Sequence, residues 1–190
     1  MFLVNDFIAL LAANLILTQA LGTSTIFIAS GSRRKLVFTT LVITLFTTFG
    51  AAAAYAVDRF LPSQYNYLTL LCYTAAVSAL YVIFLVLFYF ISKERFQKIR
   101  RYIHISAFNC AVMGTLFTIS GRASEDPALM NIGSYVFAGL EAGVGFVLAA
   151  LILSAAFHKL NSAKVPASFR GFPAMLVYLG IISMAVWALK

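Results

Sequence analysis

From Tyr67 to Ile91 the chain runs for 25 residues without a charged side chain, Y-L-T-L-L-C-Y-T-A-A-V-S-A-L-Y-V-I-F-L-V-L-F-Y-F-I. A bilayer core of about 30 Å needs roughly 20 helical residues at 1.5 Å each. A water-soluble fold has nowhere to put such a segment unless it is wrapped on every side. Five more stretches meet or approach the same length, near 4–30, 36–57, 102–120, 130–156 and 171–189. Composition then decides the class. Hydrophobic residues make up 62% of the chain and charged residues 11%, with a mean hydropathy of +0.94. Soluble domains carry about 25% charged residues, and this chain has too few to clothe its apolar surface. The expectation is an all-α integral membrane protein with six transmembrane helices, a single transmembrane domain over 1–190.

The charges set the orientation. Short polar segments separate the spans: S-G-S-R-R-K (30–35), D-R-F-L-P-S-Q (58–64), S-K-E-R-F-Q-K-I-R-R (92–101), G-R-A-S-E-D-P (121–127) and H-K-L-N-S-A-K-V-P-A-S-F-R (158–170). Eleven of the fourteen basic residues fall in the first, third and fifth of these. Basic loops stay in the cytoplasm, so those three are predicted cytoplasmic and both termini outside. The net charge of +8 thus reads as membrane orientation and contact with anionic lipid, not nucleic-acid binding. The N-terminus has no basic leader and carries Asp6, and it is read as a retained first span rather than a signal peptide.

The first stretch is too long. Val4 to Gly31 as a straight helix would span roughly 42 Å. A break at L-G-T-S-T-I-F (21–27) resolves the excess, because Gly22 weakens the helix and Thr23, Ser24 and Thr25 can satisfy freed backbone groups. The fourth stretch has a similar interruption at A-F-N-C-A-V-M-G (107–114). Two sets of three spans enter the membrane from opposite sides. The predicted architecture is therefore an inverted three-plus-three repeat, halves near 1–91 and 101–190, with helices 1 and 4 broken.

Few residues invite chemistry. Cys110 lies about 12 Å into the fourth span; a buried thiol is inert packing, half of a metal site or a relic. Cys72 reads as packing. Asn109 reads first as a partner for unwound backbone and second as part of an ion path. Glu141 is the one carboxylate deep in a span, an ion-path candidate by its cost there or else a carboxyl bonding helices together. Around it Gly139 and Gly143 mark a close-packing face. His104 and His158 read as interfacial. No G-x-x-x-x-G-K, G-x-G-x-x-G or G-x-S-x-G occurs, so nucleotide binding or hydrolysis by this chain is not expected.

Motifs in order along the whole chain carry a resemblance. F-N-C-A-V-M-G (108–114) is similar to the N-C-A-V/I-L-G motif of the membrane subunits of the Rnf and Na⁺-translocating NADH:quinone reductase (Nqr) complexes. A-N-L-I-L-T-Q-A-L-G (13–22) resembles the first-span motif that runs into L-G-x-C-P in that family. S-G-S-R-R-K-L (30–36), A-G-L-E-A-G-V-G-F (138–146) and K-V-P-A-S-F-R-G-F-P (164–173) resemble the S-K-K, the fifth-span Gly/Ala motif and V-P-x-x-F-R-G. The last motif and the short second loop resemble the A-type chain of Rnf more than the E-type chain of Nqr.

The resemblance implies a membrane subunit of an ion-translocating ferredoxin:NAD⁺ oxidoreductase in the inner (cytoplasmic) membrane, not catalytic alone. It implies a paralogous E-type partner in the opposite orientation, with flavin- and iron–sulfur-bearing subunits beside them. Each of the two paralogues would give two cysteines to a shared midplane [2Fe–2S] cluster that relays electrons, coupled to Na⁺ or H⁺ transport. Cys110 matches the second family cysteine. The first falls on Ser24, where this chain departs from the pattern. Either serine joins three cysteines, or another group fills the site, or the cluster is lost. The competing reading of the same spans is a small inverted-repeat transporter or channel without a redox centre.

Overall fold

The computed structural model describes residues 14–188 apart from 31, 62, 92, 94, 95 and 164. The beginning of the first span, with Asp6, lies outside the described residues. Those described form helices α1 (Leu15–Gln19), α2 (Thr23–Ala29), α3 (Arg33–Phe60), α4 (Thr69–Ile91), α5 (Phe96–Ala107), α6 (Cys110–Glu125), α7 (Ile132–Leu160) and α8 (Phe172–Trp187), with 3₁₀ turns at Ser63–Leu68 and Pro127–Leu129. Four helical stretches are long and apolar enough to cross a bilayer: Arg34–Phe60, Thr69–Ile91, Arg100–Glu125 and Ile132–Phe157, with Phe172–Trp187 a shorter apolar helix.

Hydropathy explains which helices form, and small residues explain how they meet. α3 and α7 make the central pair. Where they cross, Gly139 and Gly143 of α7 lie directly on α3. A Cβ at Gly139 would stand 2.6 Å from the Thr47 carbonyl oxygen, and one at Gly143 2.6 Å from Thr44 Cγ2. The glycine pair is thus the close-packing face its spacing predicts. The threonines of α3 solve their own polarity. Thr44, Thr47 and Thr48 donate their hydroxyls to carbonyls three or four residues back in the same helix, at 2.8–2.9 Å, which leaves no unmet donor against apolar surroundings.

The outside of the bundle is as apolar as its core. Only 11% of the apolar window of α4 is buried, and Leu70, Leu71, Ile83, Phe90 and Ile91 are all more than half exposed. Contiguous apolar surface of this extent is incompatible with water; lipid or another apolar chain must cover it.

Two boundaries differ from the sequence expectation. The second polar segment starts later, because α3 continues through Asp58 and Arg59 to Phe60. The third is half helical, because α5 starts at Phe96. Before α8, Gly171 takes φ +91° and the Arg170 guanidinium donates to the carbonyls of Ala163 and Val165 at 3.4 and 3.1 Å. The V-P-x-x-F-R-G motif is therefore a self-tied loop that turns the chain into its last helix.

Candidate functional site at two facing helix breaks

Both predicted interruptions are present, and asparagines cap two of the helices beside them, α1 and α6. Asn14 has extended backbone and caps α1: its Oδ1 accepts from the Ile16 amide at 2.9 Å. Asn109 has extended backbone and caps α6 in the same way, Oδ1 accepting from the Ala111 amide at 3.0 Å. An asparagine is suited to this because its amide oxygen replaces the carbonyl that a broken helix withholds. The ordinary reading of Asn109, as a partner for unwound backbone, is what its geometry shows. Asn14 plays the equivalent part and was missed in the sequence, although A-N-L (13–15) interrupts an apolar run just as F-N-C (108–110) does.

The first break lies slightly earlier than predicted. Ala20 and Gly22 both take left-handed backbone, with φ 57° and 80°. Thr23, Ser24 and Thr25 are the opening residues of α2, which has no side-chain cap. The hydroxyls therefore do not hold the break open as expected; the left-handed turn ends α1 by itself, through the Ala20 amide donating to the Ile16 carbonyl at 2.9 Å.

These two breaks touch. A Cβ on Gly22 would lie 2.9 Å from Asn109 Oδ1 and 3.0 Å from the Ala111 Cβ, and one on Gly114 would fall within van der Waals radii of the Leu21 side chain. The first turns of α2 and α6 therefore start from a common point. Ser24 and Cys110, in those two turns, are both exposed at the surface of the chain. Buried beside them, Ser106 Oγ and Asn109 Nδ2 make no hydrogen bond among the described residues. Cys72 is half-buried in α4, consistent with packing.

The donor set can be tested against an iron–sulfur group. Thiolates hold such clusters, and this chain presents one thiol and one hydroxyl at the junction. Among the described residues no three His, Cys, Asp or Glu side chains gather as metal ligands. Cys110 fits a ligand's role, being a free thiol exposed at the surface of the chain. Ser24 does not match it. What the chain can give is at most part of a site whose remainder lies on another surface.

The family described as "Rnf-Nqr subunit, membrane protein" matches residues 4–190. The chain belongs to that family. It is accordingly a multi-pass membrane protein. It is 26% identical over 188 residues to the A-type chain of the ion-translocating oxidoreductase complex of Aromatoleum aromaticum, covering 95% of this chain and 91% of that protein. It is 24% identical to the A-type chain of the Na⁺-translocating ferredoxin:NAD⁺ oxidoreductase complex of Acetobacterium woodii, covering 93% and 90%. A third relative, from Rhodobacter capsulatus and named like the first, is 24% identical over 178 residues.

In this Rnf-Nqr family member another polar cluster lies away from the breaks. Asp58, in the last turn of α3, accepts from Tyr73 of α4 at 2.5 Å and from Tyr135 of α7 at 2.7 Å. Both phenols are almost fully buried, at 0% and 1% exposure. One carboxylate thereby ties three helices. Sequence reading left Asp58 in a polar loop, since nothing local pairs it with residues 15 and 77 positions away. Asp58→Ala would orphan two buried hydroxyls at roughly 1–3 kcal/mol each. Thermal unfolding in detergent is expected to show a loss of about 2–5 kcal/mol, and Asp58→Asn, which keeps one acceptor, a smaller one.

His104 is also more engaged than an interfacial side chain. Its Nε2 lies 3.0 Å from the Tyr81 hydroxyl, and the two rings are 4.9 Å apart.

Proposed function

We propose that this chain is the A-type membrane component of an Rnf-type ion-translocating ferredoxin:NAD⁺ oxidoreductase. The supporting observation is similarity over nearly the full length to proteins named as that component, together with an exposed Cys110 at the facing breaks. In this reading the six spans form an inverted repeat, N-out and C-out, in the inner membrane. The basic segments around 30–35, 92–101 and 158–170 face the cytoplasm and the flavin- and iron–sulfur-bearing subunits. A paralogous E-type chain covers the surface that presents Ser24 and Cys110.

There Cys110, the Ser24 position and the partner's ligands would hold a [2Fe–2S] group, which supplies one-electron relay across the bilayer. The chain's own contribution is positional. Asn14 fixes the start of α1 and Asn109 that of α6, and Gly22 lets α2 start against α6. The redox state of the junction would bias which side the ion path opens to, with Asn109 and Glu141 on that path.

The departure at Ser24 favours a second reading, a family member that transports ions with no redox centre; the E-type chain of Nqr is the other assignment within the family. Iron and acid-labile sulfide in the purified complex, with an EPR signal on reduction, separate them. The expected result is a signal that Ser24→Cys shifts in line shape and potential. An iron-free complex whose isolated chain conducts ions would sink the electron-transfer reading.

A further inference from the structure

Glu141 lies nine residues into α7, about 14 Å along that helix, and is half-buried. It lines two adjoining cavities between α6 and α7. The larger, about 200 Å³, reaches the end of the bundle at Leu129, Ser134 and Tyr135. The smaller, about 30 Å³, continues inward to Asn14, Thr115, Thr118 and Gly145, and is large enough for a single water. Glu141 and Arg122 border both.

The inner end is closed by a hydrogen bond: Asn14 Nδ2 donates to the Gly145 carbonyl at 2.5 Å. Asn14 is also the cap of α1, so the floor of the cavity is the start of that helix. The hydroxyl protons of Thr115 and Thr118 are committed to the carbonyls of Ala111 and Gly114, at 2.7 and 2.8 Å. What those side chains have left to offer is oxygen lone pairs. The inner chamber therefore sets these acceptors and the Glu141 carboxylate beside the Arg122 guanidinium, a polar lining that suits water.

We propose that these joined cavities form a half-channel that admits water and small cations to Glu141 from the end of the bundle bearing segment 126–131, sealed inwardly by Asn14 and Gly145. Other groups bear on the same space. Tyr135 lies on α7 with its hydroxyl held by Asp58 of α3. Glu125 and Asp126 are exposed near the mouth. Arg122 is the charged group that α6 turns to the cavity. Among the described residues, α1 and α2 carry no titratable side chain, and α8 carries Tyr178 alone. Only the outward direction of the half-channel rests on the orientation given under Proposed function; none of it rests on a cluster.

The test uses the assembled complex in sealed membranes of known orientation. Ala138, which borders both cavities, is replaced by cysteine, and modification by membrane-impermeant thiol reagents is timed from each side, against the unmodified sequence as background. Ala138→Cys is expected to react from outside. The cationic reagent should outpace the anionic one roughly tenfold more with Glu141 present than in the Glu141→Gln background, as one nearby charge dictates. If Ala138→Cys does not accumulate, Leu129→Cys at the exposed mouth takes its place. No reaction from either side, or a reagent preference that Glu141→Gln leaves unchanged, overturns the proposal. Reaction from the cytoplasmic side alone, with the Glu141 dependence intact, upholds the half-channel and overturns the orientation.

Discussion

Gly22→Val is expected to unfold the junction. At φ +80° a β-branched residue is strained by roughly 1–3 kcal/mol. Its Cβ would also stand 2.9 Å from both Asn109 Oδ1 and Phe146 Cε2, and 3.0 Å from Ala111 Cβ. The Asn109 oxygen is held by its bond to the Ala111 amide and the Phe146 ring is buried, so neither can retreat freely, and overpacking of this kind adds about 1–3 kcal/mol. The sum, roughly 2–6 kcal/mol, is comparable with the whole stability of many domains. Thermal unfolding in detergent and the amount of chain recovered from membranes should both fall sharply. Gly22→Ala should show a smaller loss. A Gly22→Val protein with unchanged unfolding temperature would mean that the two breaks do not meet as described.

Cys110→Ala is expected to do the opposite, leaving the fold and removing the activity. The side chain is exposed, so its loss should change stability by no more than about 0.5 kcal/mol. In the proposed role the thiolate is a ligand, and an alanine has no substitute for it. Electron transfer through the complex should drop by at least about a hundredfold, the order that loss of an essential group brings, and the EPR signal of the reduced complex should vanish. Normal assembly with normal electron transfer would remove Cys110 from the redox path. The two variants together separate architecture from chemistry: Gly22 shapes the junction, and Cys110 uses it.

Much of this junction is legible in the chain itself. The polar amide at Asn109 interrupts an apolar run because a broken helix must replace lost backbone partners locally, and that replacement needs only neighbours in sequence. Gly22 likewise marks a left-handed residue. Ala20 gives no such sign, since its left-handed backbone is imposed by the turn around it; hence the break appears two or three residues later in the sequence than in the fold. Asp58 illustrates the other limit. A carboxylate near the end of an apolar helix looks like the start of a loop, yet two buried tyrosines let α3 continue past it.

The sequence alone determined membrane insertion, the helical segments, the two interruptions and the departure at Ser24. Each follows from hydropathy over about 20 residues, from glycine and asparagine, or from the identity of one side chain. Tertiary structure decided that residues 22 and 109 touch, that Glu141 and Asn14 share one space, and that Cys110 faces outward. Those facts depend on how helices cross, and crossing is set by small residues such as Gly139 and Gly143, whose partners on α3 lie 88 to 99 positions away in the chain.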